Sequence, residues 1–319
     1  MTSGTPAGGI TVAVCTRGRP AMASACVGRI LQCDPAPLEI VVIDQSDDAK
    51  TRLLLGSLPR GRPPVRVIPT PSRGLSRARN IALVQARGEL LAFTDDDCLP
   101  RRDWVGAVGK AFERWPEADC VTGPALPETT EELDERAAAV TTWNPPGPVL
   151  HRGVKEPSAV GGGFNMTFRR DSLLRLGGFD ERLGPGVPLG CADDTDILHR
   201  LLRRGGVVAY TPGAVVSHEA WRDAPEQART DRRYALSRGG WAALALRSGD
   251  PWPLGLATRT FLRSLSRSAG GLLRMQMGTA LYHALLAASC ARGFLLGLVT
   301  PGGRAPLLGR LLEEKGAGR

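Results

Sequence analysis

Three consecutive carboxylates, Asp95, Asp96 and Asp97, follow a short apolar run over residues 90–93. The run is typical of a buried strand, so we expect the acids at its carboxyl end. Adjacent carboxylates repel one another, and near a protein interior they need protons or positive charge. On an extended segment Asp95 and Asp97 would share a face opposite Asp96, which predicts an Mg²⁺ or Mn²⁺ site with room for phosphate. The alternatives are a solvated acidic turn and helix-capping acids ahead of Trp104.

A second group of acids, Asp193, Asp194 and Asp196, precedes a predicted helix. Acids in the first turn of a helix are stabilised by its dipole and free amides, and this explains one or two of them without any function. The same field keeps a carboxylate ionised at neutral pH, as a general base requires. His218 follows two short strands predicted at residues 207–210 and 214–216. It is a candidate metal ligand, although a lone histidine is more often an ordinary polar residue.

The elements that must position these residues alternate between strands and helices. Strands are predicted at residues 10–15, 38–43, 65–68 and immediately before the acid triplet, with helices opening at Pro20 and capped by Ser76. This order indicates βαβ units, hence an α/β fold with a mainly parallel sheet flanked by helices. Ligands of such sheets bind beyond the carboxyl ends of the strands. The polar residues found there are Thr16, Arg17, Asp44, Arg73 and the acid triplet.

The middle of the chain is less regular. Prolines interrupt the pattern between residues 121 and 160, which predicts a loop-rich region over the site that serves acceptor recognition. Three glycines, 161–163, then precede Asn165. Glycines allow a backbone to approach a ligand closely and Asn165 could hydrogen-bond to that ligand, whereas the alternative is a tight turn that feeds a strand.

Composition narrows the classes of function. The 319 residues carry a formal charge of +9, mostly from arginine, which suits phosphates, nucleotides or anionic lipid. Neither G-x-G-x-x-G after the first strand nor G-x-x-x-x-G-K-[ST] is present, so phosphates would need metal and arginine. Seven scattered cysteines without a C-x-x-C pair indicate reduced thiols, not a disulfide framework or zinc site. The small, polar start of the chain predicts no secretory signal and a cytoplasmic location.

The last hundred residues have a different character. Arg259, Arg263 and Arg267 recur at helical spacing and form one basic stripe, which is either solvated or suited to anionic lipid. Residues 275–291 are uncharged but include several polar side chains. Their number reaches only the lower end of the range for a spanning helix. We therefore expect a packed or interfacial helix instead of a transmembrane one.

The order of these motifs resembles glycosyltransferase family 2, the inverting nucleotide-sugar enzymes of GT-A fold, over about residues 10–220. The resemblance rests on the Thr16-Arg17 loop, Asp44, the segment 74–80, the acid triplet, Gly-Phe-Asn at 163–165, the acids at 193–196, and His218. This chain departs from the family pattern in two places. Residues 44–47 read Asp-Gln-Ser-Asp where the family has Asp-Asp-Gly-Ser, and Asp193 stands where the family has the Glu of its Glu-Asp pair.

The resemblance implies a role for each matching residue. Asp194 would be the catalytic base and Asp193 would orient the sugar or acceptor. Asp97 would hold the metal, and His218 could complete that site. Asp95 would meet the ribose or sugar side. The donor-binding set would further include Thr16, Arg17 and Asp44 at the nucleoside, Arg73 and Arg79 near base or phosphate, and Asp96 and Asn165.

The expected protein is therefore a metal-dependent inverting glycosyltransferase that uses Mn²⁺ or Mg²⁺. Its partners would be a nucleoside-diphosphate sugar and a hydroxyl acceptor that could be lipid-linked, without nucleic acid. The expected domains are a GT-A domain at 1–222, with a nucleotide half at 10–100 and an acceptor half at 101–222, and a helical extension at 223–319. That extension could touch the cytosolic face of a membrane. The alternatives are a sugar-phosphate nucleotidyltransferase and a non-catalytic basic protein that binds nucleic acid or membrane.

Overall fold

A mixed β-sheet organises the computed structural model, which describes residues 9–59, 61, 63–127, 145–156, 159–218 and 224–317. The described strands, in chain order, are β1 (Ile10–Thr16), β2 (Glu39–Asp44), β3 (Val65–Pro69), β4 (Leu90–Asp95), β5 (Cys98–Pro100), β6 (Cys120–Thr122), β7 (Ala125–Pro127), β8 (Val149–Arg152), β9 (Asn165–Arg169), β10 (Val207–Tyr210) and β11 (Val216–His218).

The main sheet has the strand order β3-β2-β1-β4-β9-β6-β10-β8. Strands β3, β2, β1 and β4 are all parallel, and β9 runs antiparallel between β4 and β6. The register sets Thr16 against Asp44 and Cys15 against Asp95, so the polar ends of three strands meet at one edge. The predicted mainly parallel sheet is thereby confirmed. A smaller sheet, β5-β11-β7, lies beyond that edge.

Helices follow the strands closely. The described helices are α1 (Pro20–Ile30), α2 (Lys50–Gly56), α3 (Leu75–Gln85), α4 (Trp104–Arg114), α5 (Arg170–Arg175), α6 (Asp193–Arg203), α7 (Ala224–Arg247), α8 (Trp252–Leu273), α9 (Met277–Val299) and α10 (Pro306–Ala317). The predicted cap at Ser76 is wrong, because its Oγ donates to the carbonyl of Leu183 at 2.7 Å. The N-cap of α3 is Gly74, whose φ of 108° favours glycine.

Two hydrophobic layers cover the faces of the sheet. One layer includes Trp104 of α4 together with α1, and the other includes α3, α5 and α6. In the second layer the rings of Phe93, Phe168 and Phe179 meet edge to face, with centroids 5.4 to 6.4 Å apart. Leu308 of α10 is buried in the same layer, so the end of the chain packs back onto the sheet domain.

The loop-rich prediction for residues 121–160 applies only in part. Strands β7 and β8 and most of β6 fall inside it, while residues 128–144 and 157–158 lie outside the described residues. The predicted domain boundary at 222 also falls outside them and stays a prediction.

The helices α7, α8 and α9 pack together at the end of the chain and rest on the segment 183–192 through Leu189 and Trp241. The length argument applied to residues 275–291 is wrong, because α9 spans 23 residues, Met277–Val299. Within the described residues α9 is the one helix long and apolar enough to cross a membrane, judged by length and composition. Only 22% of its most apolar stretch is buried. One face of α9 is therefore packed and another is exposed.

Candidate active site

The acid triplet leaves the sheet earlier than the sequence suggested. Strand β4 ends at Asp95, and Asp96 and Asp97 form the turn before β5. Alternation of side chains therefore stops at Asp95, and the predicted opposition of Asp96 to its neighbours does not hold. Nη1 of Arg19 lies 3.2 Å from Oδ1 of Asp96 and 3.2 Å from Oδ2 of Asp97. One guanidinium thus bridges two carboxylates.

Arg19 is a site residue that our reading of the sequence missed. It stands at the N-cap position of α1, just before Pro20, and its side chain is 40% exposed. The signal was present, because Arg19 lies in the same polar loop as Thr16 and Arg17. Thr16 donates from Oγ1 to Oδ2 of Asp96 at 2.7 Å, whereas Arg17 is exposed. The loop after β1 therefore holds the acid turn in place.

A candidate metal centre forms where β11 runs beside β5. The register sets His218 opposite Cys98, and Nε2 of His218 lies 3.6 Å from Oδ1 of Asp97. Donor atoms of Asp97, Cys98 and His218 all lie within 4.8 Å of one another. Burial and, to a smaller degree, the nearby carboxylates raise the pKa of the Cys98 thiol well above its ordinary value.

The donor chemistry fits a divalent cation held by Asp97 and His218. A carboxylate with an imidazole suits Mn²⁺ better than Mg²⁺, which strongly prefers oxygen ligands. Asp95 does not belong to this group of donors in the structure. Instead its Oδ1 accepts a hydrogen bond of 3.1 Å from Nη2 of Arg79.

Arg79 of α3 connects the two groups of acids. Its side chain is 3% exposed, and its guanidinium donates to Asp95, to the carbonyl of Gly163 at 2.9 Å, and to Asp193. The rings of Phe93 and Phe179 flank it at 5.8 and 5.5 Å. Burial works against the charge, but Asp193 and Asp95 outweigh it and raise the pKa of Arg79. Arg79 is enclosed by protein, so its geometry favours organisation of the site over the predicted phosphate contact.

Two acids, Asp95 and Asp193, pair with the single guanidinium of Arg79. Burial raises the pKa of Asp193 to about 6, opposed by Arg79 and assisted by Asp194. Burial likewise raises the pKa of Asp95, opposed by Arg79 and assisted by Asp97. Protons are therefore held in this cluster at a higher pH than on ordinary aspartates.

Asp194, the predicted base, is half-buried at the start of α6. Its Oδ2 accepts a hydrogen bond of 2.8 Å from the amide of Gly163, and its Oδ1 accepts one of 2.6 Å from the amide of Thr195. These two backbone donors fix the direction of the carboxylate. Ala192, just before the helix, has a φ of 79°, an uncommon conformation for alanine that turns the chain into α6.

Gly163 joins these parts. Its carbonyl accepts from Arg79 and its amide donates to Asp194. A Cβ atom at this position would lie 2.8 Å from Nη2 of Arg79, so any side chain would displace the guanidinium. The three-glycine segment was expected to approach a ligand, and here it approaches the two central charged groups of the site.

The remaining predicted residues have specific contacts. Asn165 accepts at Oδ1 from Nε1 of Trp104 at 3.0 Å and donates from Nδ2 to the carbonyls of Pro124 and Ala214. Its buried amide thus ties the fold together, and the geometry lends no support to the predicted ligand contact. Asp44 is buried and accepts from the amide of Ser46, while Arg73 donates to the carbonyl of Gln45 and pairs with Asp47. Asp44 ends β2 and Arg73 follows β3, and the roles predicted for them in nucleotide binding stay predictions.

Comparison with known proteins identifies the family of this chain. The model of the family described as "Glycosyl transferase family 2" matches residues 11–177. The chain belongs to glycosyltransferase family 2. Both alternatives weighed from the sequence, a nucleotidyltransferase and a non-catalytic basic protein, are set aside by that membership.

The relatives of this glycosyltransferase carry different functional names. A glucosyl-dolichyl phosphate glucuronosyltransferase of Haloferax volcanii is 25% identical over 185 residues, 56% of each chain. A pre-mycofactocin glycosyltransferase of Mycobacterium tuberculosis is 29% identical over 56% of this chain and 36% of its own. The succinoglycan biosynthesis protein ExoM of Rhizobium meliloti is 27% identical over 66% of each. The chain thus spans about one to two thirds of the length of these curated relatives.

Solved structures confirm the fold. A mannosyltransferase of Pyrobaculum calidifontis, in complex with GDP-Man and Mn²⁺, superposes with a TM-score of 0.58 and 22% identity over 91% of this chain and 87% of its own. TarS of S. aureus with UDP-GlcNAc gives a TM-score of 0.54 and 14% identity over 72% of this chain and 66% of its own. Because it covers 91% of this chain, the first likeness extends beyond residue 177, where the family match ends, and into the C-terminal helices.

Proposed function

We propose that this glycosyltransferase moves a sugar from a nucleoside diphosphate to an acceptor hydroxyl in a single displacement that inverts the anomeric centre, with Asp194 as general base. The observation that carries the proposal is the fixed carboxylate of Asp194, held by the amides of Gly163 and Thr195. It is linked through Gly163 and Arg79 to Asp95, at the strand edge where ligands of such sheets bind.

In the reaction, Asp194 accepts the proton of the acceptor hydroxyl while the acceptor oxygen forms a bond to the anomeric carbon. The bond from that carbon to the diphosphate oxygen breaks, and its electron pair leaves with the nucleoside diphosphate. Asp97 and His218 would hold a divalent cation, preferably Mn²⁺, which supplies positive charge to the leaving diphosphate. Arg79 keeps Asp95 and Asp193 in place, and Thr16 and Asp44 lie where the nucleoside would bind.

The acceptor is proposed to be lipid-linked and to be met at the cytosolic face of a membrane. Support comes from one relative, whose name states a dolichyl phosphate acceptor, and from the exposed apolar and basic surface of the C-terminal helices. Soluble acceptors remain the competing proposal, and substrate trials with the two classes distinguish them.

The test is a panel of nucleoside-diphosphate sugars that includes GDP-mannose and UDP-GlcNAc, with and without Mn²⁺. A bound donor should raise the melting temperature by ligand linkage, and the donor so found is then used in transfer assays with the product's anomeric configuration read by NMR. Asp194→Asn should keep the donor-induced rise and lose about 10²–10⁴-fold in turnover.

The matched control is Asp171→Asn, which changes another first-turn helix acid on an exposed position of α5. It should leave turnover unchanged. Normal turnover in Asp194→Asn, or loss of donor binding in parallel with rate, would contradict the assignment of the base.

A further inference from the structure

Helix α9 packs with its small residues inward and its large residues outward. The buried positions are Ala280, Ala287, Cys290, Gly293 and Gly297. Met277, Leu281 and Leu295 are 65%, 63% and 64% exposed. In water the hydrophobic effect favours the opposite orientation, with leucine inside. Helices that face lipid show this arrangement, with small residues at the contact between helices and leucine on the outside.

This orientation is fixed by close backbone contacts with α7. A Cβ atom on Gly293 would lie 1.8 Å from the carbonyl oxygen of Leu236, and one on Gly239 would lie 2.0 Å from that of Cys290. No larger side chain fits at these two positions. Rotation of α9 about its axis would bring large side chains into that contact, so the leucine face cannot turn inward.

The exposed apolar face is continuous with the turn between α8 and α9. Leu272, Leu273 and Met275 are 54%, 87% and 88% exposed, and Met277 begins α9 directly after them. We call residues 272–281 the hairpin tip. Contiguous exposed leucine and methionine on this scale indicate a contact surface, since scattered single residues are the norm on soluble proteins.

Charge identifies what covers this surface. Residues 251–312 contain seven arginines and no aspartate or glutamate; the arginines are 259, 263, 267, 274, 292, 304 and 310. Arg259, Arg263 and Arg267 are all exposed on α8, and Arg274 is exposed within the hairpin tip. A second copy of the chain would oppose like charges on this face. Anionic lipid complements it, because each arginine near such a membrane gains attraction from the surface potential.

We propose that the hairpin tip docks this protein on an anionic bilayer, with its leucines and methionines in the acyl boundary and the arginines of α8 on lipid phosphates. The arrangement is that of an interfacial element, apolar at one end and basic beside it. Exposed Arg292 lies 15 residues along α9 from Met277, about 22 Å, where a helix inserted along its whole length would bury a charge in hydrocarbon. It specifies the membrane contact that the proposed function assumes for a lipid-linked acceptor, and the vesicle tests below do not depend on sugar transfer.

Flotation of the full chain with phosphatidylcholine vesicles, neutral or containing roughly a third phosphatidylglycerol, tests the proposal. The wild type should float with the anionic vesicles. With neutral vesicles most of the protein should remain at the bottom of the gradient. Leu273→Glu with Met275→Glu should weaken partitioning by at least about 100-fold, because two charges would enter the acyl boundary. The control is Leu53→Glu with Leu54→Glu on α2, where Leu53 is 72% exposed, and it should float like the wild type.

A second pair of variants tests the basic part of the surface. Arg263→Glu with Arg267→Glu should lose at least about 20-fold in partitioning, since each arginine contributes roughly fivefold. Arg52→Glu with Arg102→Glu makes the same change in net charge at exposed positions elsewhere and should lose far less. Circular dichroism and the melting temperature show that each variant is folded.

Four results would overturn the proposal, three of them from flotation. In flotation, the proposal fails if the wild type floats with neither kind of vesicle, if the hairpin-tip variants float as well as the wild type, or if the wild type partitions equally onto neutral and anionic vesicles. A concentration-dependent dimer that the Leu273→Glu, Met275→Glu variant splits would also overturn it, because a second copy would then cover the face.

Discussion

Replacement of Arg79 by lysine tests the organisation of the site most directly. Arginine serves three acceptors at once, namely Asp95, the carbonyl of Gly163, and Asp193. Lysine keeps the charge but has one compact ammonium, which cannot span two carboxylates on opposite sides of a planar fork. A hydrogen bond to a charged group contributes about 1.5–3 kcal/mol, and a buried carboxylate left without its partner costs about 3–5 kcal/mol.

We expect Arg79→Lys to lower the free energy of unfolding by about 3 kcal/mol. With an unfolding entropy of roughly 2.1 cal/mol/K per residue over 319 residues, the melting temperature should fall by about 4 to 5 °C. Turnover should fall by about 10- to 100-fold, because Gly163 and therefore Asp194 lose the group that positions them. Calorimetry and a transfer assay at a temperature where both proteins are folded measure the two effects.

Arg66→Lys is the matched control. Arg66 also uses its fork on several acceptors, donating to Glu39 at 2.9 Å and to the carbonyl and side chain of Gln85. Glu39 begins β2, at the end of the sheet away from the site. Arg66→Lys should therefore lose stability while turnover changes little. Wild-type stability and rate in Arg79→Lys, or an equal loss of rate in Arg66→Lys, would refute the reasoning.

Three further predictions concern neighbouring groups. His218→Ala should raise the Mn²⁺ concentration for half-maximal donor-induced thermal stabilisation by about 10-fold or more, and an unchanged titration would remove His218 from the metal site. Arg19→Gln should tighten Mn²⁺ binding measured by calorimetry without donor, because a cation 3.2 Å from Asp97 is removed; weaker binding would contradict it. The pKa of Asp193 is raised to about 6, so the folded state binds this proton more tightly than the unfolded state does. Stability should rise as pH falls from 6 towards 4, and Asp193→Asn should flatten that part of a melting profile.

The positions of the main strands followed from the sequence because each strand is a short apolar run with a polar end. Register then brought Thr16, Asp44 and Asp95 to one edge, as parallel pairing requires. The same local pattern gave a wrong prediction at Asp96. Side chains alternate between faces only while the chain stays extended, and β4 ends at Asp95. Where a strand ends depends on the hydrogen-bond partners of the residues that follow it. For Asp96 those partners are Thr16 and Arg19.

Partners distant in sequence were the least predictable part of the site. The family resemblance implied a place for Arg79 near the base or phosphate of the donor. Its burial against Asp193, 114 residues away, depends on how α3, β4 and α6 converge, which no local pattern contains. The same holds for Asn165, whose amide is taken by Trp104, Pro124 and Ala214. The type of a residue determines which hydrogen bonds and ion pairs it can form. Tertiary contacts determine whether those bonds go to a ligand or to other residues of the protein.

The C-terminal helices and the proposed base are parts of one connected structure. Trp241 of α7 donates from Nε1 to Oδ1 of Asp196, two residues after Asp194 and on the same helix. A Cβ atom on Gly240 would lie 2.9 Å from the side chain of Leu189, within the segment that leads into α6. The helices α7, α8 and α9, which pack together and include the hairpin tip, thus contact α6 through α7, and α6 is the helix that begins with Asp193 and Asp194. If the hairpin tip rests on a bilayer, these contacts fix the orientation of α6 relative to that surface, so a lipid-linked hydroxyl would approach the base from a defined direction.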